Sequence, residues 1–219
     1  MKKSTIIAAI AILASSALFT SCKKEDVTAP VVTLNGGDET VILNGSYSDL
    51  GATAKDNKDG SISVSVSGVV DVNRTGVYEL TYTATDKAGN EGKATRNVTV
   101  YNELDVMNGV YSCTITSGPG SPYTYTQTIT ASSTVNRRIN FGKFGDYVNN
   151  TGIYMNVTNT GLTSPTDLPS QTAIQVGNPA ADRTFSGTGA RSSATTFSLS
   201  YSETTSLGSS NFTEVYTKQ

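Results

Sequence analysis

Alternation of apolar and polar side chains with a period of two constrains this chain more than any other feature. One run between residues 30 and 101 alternates Tyr78, Leu80, Tyr82 and Ala84 with Glu79, Thr81 and Thr83, and a shorter run alternates Val64 and Val66 with serines. Such a period is typical of half-buried strands with one apolar face. Turn signals separate the runs, at Asn35-Gly36-Gly37, Asn44-Gly45, Asp59-Gly60 and Gly89-Asn90. Several strands at this spacing predict a β-sandwich.

The alternation resumes after a short polar link. Tyr111, Cys113 and Ile115 share one face of the first strand, and the next run places on one face Tyr123, Tyr125, Gln127 and Ile129. Further candidate strands are Val135–Phe141, Gly152–Asn159, Gln171–Val176, Arg183–Gly189, Thr195–Ser202 and Asn211–Thr217. Eight short strands joined by Gly, Ser and Asn predict an antiparallel barrel or a sandwich, and a closed barrel leaves no exposed strand edge. The chain is therefore predicted to be all-β.

The chain contains no histidine. Ser-His-Asp and Cys-His catalysis are therefore excluded, and the commonest transition-metal ligand is absent. The balance of 16 Lys+Arg against 18 Asp+Glu offers no basic surface for nucleic acid. A glycoside hydrolase that uses two carboxylates stays open, although the acidic residues of the second half form no recognisable motif: Asp146, Asp167, Asp182, Glu203 and Glu214. We expect a protein that is not an enzyme.

The N-terminus has the parts of an export signal. Lys2 and Lys3 precede an apolar run over residues 6–19, which is shorter than the about 20 residues of a membrane-spanning helix. The segment Leu18-Phe19-Thr20-Ser21-Cys22 resembles the lipobox of bacterial lipoproteins. This resemblance implies a signal peptide over residues 1–21 and acylation of Cys22, and several acyl chains on one N-terminus anchor a protein stably. An ordinary signal peptide with a chance cysteine is the alternative.

A charged run, Lys23-Lys24-Glu25-Asp26, follows the cysteine directly. It resembles the short signal by which Bacteroidetes move lipoproteins to the outer leaflet of the outer membrane. The resemblance implies surface display, with outer-membrane lipid as the partner of Cys22, whereas a hydrated tether without a targeting role is the alternative. We expect a tether over residues 22–29, a first domain over 30–101, a linker over 102–107 and a second domain over 108–219.

Three motifs of the first domain carry a family resemblance. They are YSDLGATA over residues 47–54, DNKDG over residues 56–60 and GVYELTYTATDKAGN over residues 76–90. In this order they resemble the bacterial Ig-like family DUF5011, which is related to modules of pesticidal crystal proteins; Leu50 departs from the family, which often has proline there. The resemblance implies a seven-stranded sandwich that serves as a spacer or adhesion module. Tyr78 stands where a tyrosine corner would tie strand to loop through its hydroxyl, and a simple half-buried core tyrosine fits equally well.

The second domain has a weaker resemblance, carried by its overall pattern. It resembles the C-terminal domains of Bacteroidetes surface lipoproteins that pair an Ig-like module with a lipocalin-like barrel. The resemblance implies an eight-stranded antiparallel barrel, and a sandwich stays open. Cys113 shares its face with Tyr111 and Ile115, so we expect an inert core thiol.

Two groups of residues are candidate sites. In the first domain Asp56, Asp59 and Asp86 lie in loops where carboxylates suit Ca²⁺, although aspartate is also what tight turns require. No other cofactor is expected. In the second domain the candidate ligand-binding set consists of Tyr123, Tyr125, Tyr147, Tyr154, Arg137, Arg138 and Asp146. Aromatic faces stack on sugars, but core packing is the alternative for alternating strand tyrosines.

The order of anchor, spacer and a second domain of different pattern predicts a lipid-anchored binding accessory protein on the cell surface. Its distal β domain is expected to bind a glycan or an envelope protein. The alternative is a structural or adhesion spacer of the outer membrane that binds no small ligand.

Overall fold

The computed structural model describes residues 24–146, 152–157, 165–176, 181–193 and 195–219. Over these residues the regular structure consists of fifteen β-strands and two short 3₁₀ turns. The prediction of an all-β protein is confirmed.

The first seven strands form a sandwich of two sheets. They are β1 (Val31–Leu34), β2 (Glu39–Ile42), β3 (Ala52–Asp56), β4 (Gly60–Ile62), β5 (Ser65–Ser67), β6 (Gly76–Thr85) and β7 (Glu91–Tyr101). One sheet has the order β1-β3-β4 and the other β2-β7-β6-β5, with β2 parallel to β7 and the other pairs antiparallel. Seven strands in this arrangement confirm the predicted Ig-like sandwich.

The core of the sandwich follows the period of β6. Leu80, Tyr82 and Ala84 are buried, and Leu80 and Tyr82 pack with Val98 and Val100 of the neighbouring β7. The predicted burial of Val66 is wrong, because it lies in the edge strand β5, where its side chain is 54% exposed. A three-residue edge strand has a neighbour on one side only and contributes little apolar surface to the core.

Tyr78 forms the tyrosine corner that was one of its two predicted roles. Its hydroxyl donates a hydrogen bond of 2.8 Å to the carbonyl of Arg74, four residues upstream. The second domain repeats the device, since the hydroxyl of Tyr111 donates to the carbonyl of Met107 at 3.0 Å. Each bond ties the first residues of a long strand to the segment that precedes it.

The remaining eight strands close into a barrel. They are β8 (Gly109–Ser117), β9 (Tyr123–Ala131), β10 (Arg138–Phe141), β11 (Tyr154–Val157), β12 (Pro165–Val176), β13 (Ala181–Arg191), β14 (Thr196–Thr205) and β15 (Gly208–Lys218). Neighbours in the chain pair in antiparallel fashion, and β15 pairs with β8 to complete the ring. The structure therefore has the predicted barrel and not the sandwich. Strand β10 begins later than predicted, because Arg137 has a φ of 58° and ends a turn.

Aromatic side chains fill the described interior of the barrel. The rings of Phe197 and Tyr216 stack with centroids 4.3 Å apart. Phe144 comes from a 3₁₀ turn outside the strands, is fully buried, and packs its ring against those of Phe141, Phe185 and Tyr201. This turn inserts a side chain into the barrel, so the described interior is a packed core.

A network around Asn102 joins the sandwich to the barrel. Its side-chain amide donates to the carbonyls of Ser132 and Val135, and its oxygen accepts from the backbone N–H groups of Leu104 and Arg137, all at 2.8–3.1 Å. Asn102 is 1% exposed. Every hydrogen-bonding position of this side chain is thus used within the link and the barrel.

Three further hydrogen bonds reach the same barrel loop from the sandwich. The side chain of Asn44 accepts from the N–H of Asn136 and donates to the carbonyl of Thr134, and the N–H of Thr75 donates to the carbonyl of Ser133. The link itself packs into the barrel, because Leu104 and Met107 belong to its hydrophobic core. The link between the sandwich and the barrel is therefore held by both packing and hydrogen bonds.

Candidate functional site

An acidic cluster lies at the end of the sandwich opposite the barrel. Asp56 ends β3, Asp86 follows β6, and Asp26 lies in the segment that leads into β1. One carboxylate oxygen from each lies within 4.8 Å of the other two. The sequence predicted Asp56 and Asp86 as candidate ligands but missed Asp26, whose position beside Lys23, Lys24 and Glu25 indicated only an export signal.

Two members of the cluster are held by turn hydrogen bonds. Oδ1 of Asp56 accepts from the N–H groups of Lys58 and Asp59, at 2.7 and 2.8 Å. Asp86 accepts from the side chain and the N–H of Asn90, and these bonds lower the pKa of the Asp86 carboxyl below its usual value. Both carboxylates are therefore fixed in place by the local backbone.

Asp59, the third predicted ligand, does not join the cluster. Its carboxylate accepts from the backbone N–H of Lys87 at 2.8 Å and forms an ion pair with the Nζ atom of Lys87 at 3.1 Å. These two bonds lower the pKa of Asp59. Asp59 thus ties the loop after β3 to the loop after β6, beside the cluster.

The structure separates the predicted ligand-binding residues of the second domain. Tyr125 points into the barrel, where it is 7% exposed and its hydroxyl accepts from the N–H of Gly145 at 2.9 Å. Tyr123 is half-buried on the same face and its hydroxyl donates to the carbonyl of Gly145 at 3.4 Å. Both tyrosines therefore support the turn that carries Phe144.

The predicted arginines lie elsewhere. The guanidinium of Arg138 stacks over the ring of Tyr154 at 3.8 Å on the outer face of β10 and β11. Arg137 forms a bidentate ion pair with Glu103 in the link, with bonds of 2.7 and 3.1 Å. Tyr147 lies outside the described residues, as do Cys22 and the side chain of Asp146.

A polar groove on the outer face of the barrel was not predicted. It has a volume of about 420 Å³ and crosses strands β13, β14 and β15. Its lining combines Gly187, Tyr201 and Phe212 with seven residues that carry a hydroxyl or amide side chain: Ser117, Ser186, Thr188, Ser200, Ser202, Asn211 and Thr213. The signal in the sequence is the serine and threonine at alternate positions of these strands, which indicated only a solvent-facing surface.

Two carboxylates considered for catalysis lie inside the barrel. Glu203 is 5% exposed and pairs with the guanidinium of Arg183. Glu214 is fully buried and accepts from the hydroxyl of Tyr216 at 2.7 Å. Each carboxylate is thus engaged within the packed core.

Comparison with known proteins finds a family resemblance in the first domain. Residues 32–100 match the family model of the bacterial surface protein Ig-like domain. The sandwich is therefore similar in sequence to this family. The narrower DUF5011 assignment and the lipocalin-like character of the barrel stay predictions. No curated protein matches the chain.

Two solved structures resemble the chain at low identity. A crystal structure of a lipoprotein from Bacteroides thetaiotaomicron is 19% identical and covers 87% of this chain and 100% of its own, with a TM-score of 0.34. A structure of CBM51-2 in complex with GlcNAc and INT domains from Clostridium perfringens ZmpB is 18% identical, with a TM-score of 0.28. The match covers 63% of this chain and 29% of that one. Within the described residues, no helix has the length and apolar character needed to cross a membrane.

Proposed function

We propose that this protein is a lipid-anchored accessory protein of the bacterial cell surface, in which the Ig-like domain holds the barrel away from the outer membrane. The match of residues 32–100 to a bacterial surface domain supports a cell-envelope location. The proposed anchor is the acylated Cys22, which precedes the described segment by two residues. The role is non-catalytic, in keeping with an all-β fold, a surface Ig-like domain and a chain without histidine.

The observation that carries the spacer role is the placement of the two ends of β7. Its first end lies against the residue that directly follows the tether, because Gly92 is so close to the carbonyl oxygen of Pro30 that an added Cβ atom would collide with it. Its last residue, Tyr101, is followed directly by the Asn102 network that holds the barrel. The strand has eleven residues, so its two ends lie about 33 Å apart at about 3.3 Å per residue.

A ligand, in this proposal, binds to the outer surface of the barrel. The described interior is occupied by aromatic rings and by Phe144, which leaves the outer groove across β13 to β15 as the better receptor. Its hydroxyl and amide side chains can exchange hydrogen bonds with the hydroxyl groups of a glycan. The proposed ligand class is therefore a neutral glycan.

Surface display is tested on cells. Mass spectrometry of the mature N-terminus is expected to find a diacylated or triacylated Cys22, and protease added to intact cells is expected to remove the protein. An unmodified, secreted chain would contradict the anchor. Protection from protease in intact cells, with digestion only after lysis, would place the protein on the inner leaflet.

Glycan binding is tested with the mature chain on a glycan array. Ser200→Arg places a large charged side chain in the groove and is expected to abolish any binding seen with the unchanged protein. Thr126→Arg is the matched control, because Thr126 is exposed on the outer face of β9, away from the groove. Equal loss in both variants would show that the groove is not the receptor.

A structural spacer without a ligand is the second candidate. The packed described interior of the barrel favours it, because small-molecule sites in barrels are usually cavities at the mouth. Uniform absence of binding across glycans, together with co-purification of another envelope protein after crosslinking on cells, would favour this candidate.

A further inference from the structure

The acidic cluster at the end of the sandwich has the geometry of an ion site. Oxygen atoms of Asp26, Asp56 and Asp86 lie within 4.8 Å of one another, and two ligands at about 2.4 Å from a shared Ca²⁺ can be no more than about 4.8 Å apart. The three residues come from three separate segments, so the chain folds specifically to bring them together.

One oxygen of Asp56 points independently to a missing ligand. Asp56 is 4% exposed, and its Oδ2 atom has no hydrogen-bond partner within the described part of the chain. Its other oxygen already accepts two turn hydrogen bonds, so turn formation accounts for Oδ1 and leaves Oδ2 unexplained. A buried carboxylate oxygen without a partner is costly, and a cation is the natural way to satisfy it.

The charges around the acidic cluster favour the binding of a divalent cation. The nearest lysine, Lys58, lies 3.5 Å from Oδ2 of Asp26, and its side chain is 45% exposed. Lys24 and Lys87 also line the groove beside Asp26, but among the described residues neither forms an ion pair with the cluster. Lys87 is engaged by Asp59. Three carboxylates against one partly exposed ammonium group leave an excess of negative charge beside the buried oxygen.

We propose that Asp26, Asp56 and Asp86 bind a Ca²⁺ ion, and that this ion fixes the tether to the Ig-like domain. The donors are all oxygen, which suits Ca²⁺ rather than softer metals, and waters can complete the six to eight ligands that Ca²⁺ takes. Ca²⁺ is preferred over Mg²⁺ because it tolerates the irregular geometry of donors from three segments. Ion binding itself does not depend on the proposed surface function.

The tether is already positioned for such a clamp. The side chain of Asn90 donates to the carbonyl of Asp26 at 3.0 Å, and Lys58 donates to the carbonyl of Lys24 at 3.0 Å. Grooves of about 340 and 210 Å³ open beside Asp26 and Asp86 and give an ion access from solvent. An ion bound here joins the segment next to Cys22 to two loops of the sandwich and so sets the direction in which the domain leaves the membrane.

The experiment is calcium titration of the full mature chain, made soluble by Cys22→Ser. Isothermal titration calorimetry after chelator treatment is expected to give a dissociation constant of about 10⁻⁴ to 10⁻³ M, the range of extracellular calcium modules. Asp56→Asn and Asp26→Asn are each expected to weaken binding by at least about tenfold. Asp56→Asn keeps the Oδ1 acceptor of the turn, and Asp26 lies in the tether, so neither change should unfold the domain.

Asp71→Asn is the matched control, because Asp71 also accepts a turn hydrogen bond but lies outside the cluster. Its affinity for Ca²⁺ is expected to equal that of the unchanged protein. Hydrogen exchange of residues 24–30 is expected to slow when Ca²⁺ replaces chelator. No binding up to millimolar Ca²⁺, equal loss in the control, or equal affinity for Mg²⁺ would overturn the proposal, and unchanged exchange in the tether would overturn the clamp.

Discussion

The guanidinium of Arg96 donates a hydrogen bond of 2.6 Å to Oδ1 of Asp49 inside the Ig-like domain. The Arg96 side chain is fully buried, while that of Asp49 is 27% exposed. The same guanidinium donates to the carbonyls of Asn35 and Gly51 at 3.2 Å, and the hydroxyl of Tyr82 donates to Asp49 at 2.5 Å. The network joins β7 to the loop after β1 and the loop before β3.

Arg96→Met is expected to destabilise the Ig-like domain by about 3 kcal/mol. Removal of one partner from a buried ion pair leaves the other charge and its hydrogen-bonding groups unsatisfied. Arg74→Met is the control, since Arg74 is exposed and its described hydrogen bonds involve only its backbone. Urea unfolding followed by tyrosine fluorescence measures the change, and equal unfolding midpoints for both variants would contradict the assigned role.

The loss of stability of the Ig-like domain at low pH is expected to depend on Asp49. Burial alone would raise the pKa of this carboxyl, but hydrogen bonds from Tyr82 and Gly51 and the charge of Arg96 hold the pKa below its usual value. A lowered folded-state pKa gives stability that is present above the unfolded pKa of about 3.9 and is lost as pH falls through the folded value. Asp49→Asn should therefore be less stable than the unchanged protein at pH 6, with a difference that shrinks towards pH 2. A constant difference across urea curves at these pH values would refute the linkage.

The two tyrosine corners should contribute similar amounts to the free energy of unfolding. Tyr78→Phe and Tyr111→Phe each remove one hydrogen bond while keeping the ring, so each is expected to cost about 1 kcal/mol of unfolding free energy. The change at Tyr111 should be the larger because that bond is buried. Thermal unfolding measures both, with Tyr101→Phe as a control, and a change in the control as large as in Tyr111→Phe would argue against a specific bond.

Cys113 is expected to be unreactive in the folded protein. Burial raises the pKa of its thiol to about 12, and the side chain is fully buried within the barrel core. Thiolate is the reactive form, so a thiol reagent at pH 8 should label the Cys22→Ser chain only after denaturant is added. Stoichiometric labelling of the native protein within minutes would contradict this expectation.

The alternation of apolar and polar residues predicted the strands well, because a strand that buries one face carries apolar side chains at every second position. Leu80, Tyr82 and Ala84 of β6 and Tyr111, Cys113 and Ile115 of β8 all lie on the predicted faces. The barrel closure was left open, since pairing between β15 and β8 joins residues about 100 positions apart and no local pattern encodes it. Arg96 was missed because its burial depends on partners at Asp49, Asn35 and Gly51, in a distant part of the chain.

The candidate sites were less predictable because they too depend on contacts between distant parts of the chain. Tyr123 and Tyr125 share a face, as the period required, but the face is internal. Asp59 and Asp86 are similar loop aspartates in the sequence, and only the fold pairs Asp59 with Lys87 and brings Asp26 to Asp86. Sequence spacing identifies which residue types are available, whereas membership of a cluster depends on loops that approach one another after folding.

The joint between the two domains offers a test of the spacer role. Asn102→Asp keeps the oxygen that accepts from Leu104 and Arg137, but turns the donor towards Ser132 and Val135 into an acceptor that faces two carbonyl oxygens. The barrel should lose about 2 kcal/mol of stability, because a buried acceptor without donors costs its desolvation. The joint should also loosen, so small-angle X-ray scattering of the mature chain is expected to show a broader distribution of distances between the domains. Asn97→Asp is the control, because the Asn97 side chain is exposed on β7. If both variants scatter like the unchanged protein, the Asn102 network is not what holds the barrel in place, and a rigid spacer loses its main support.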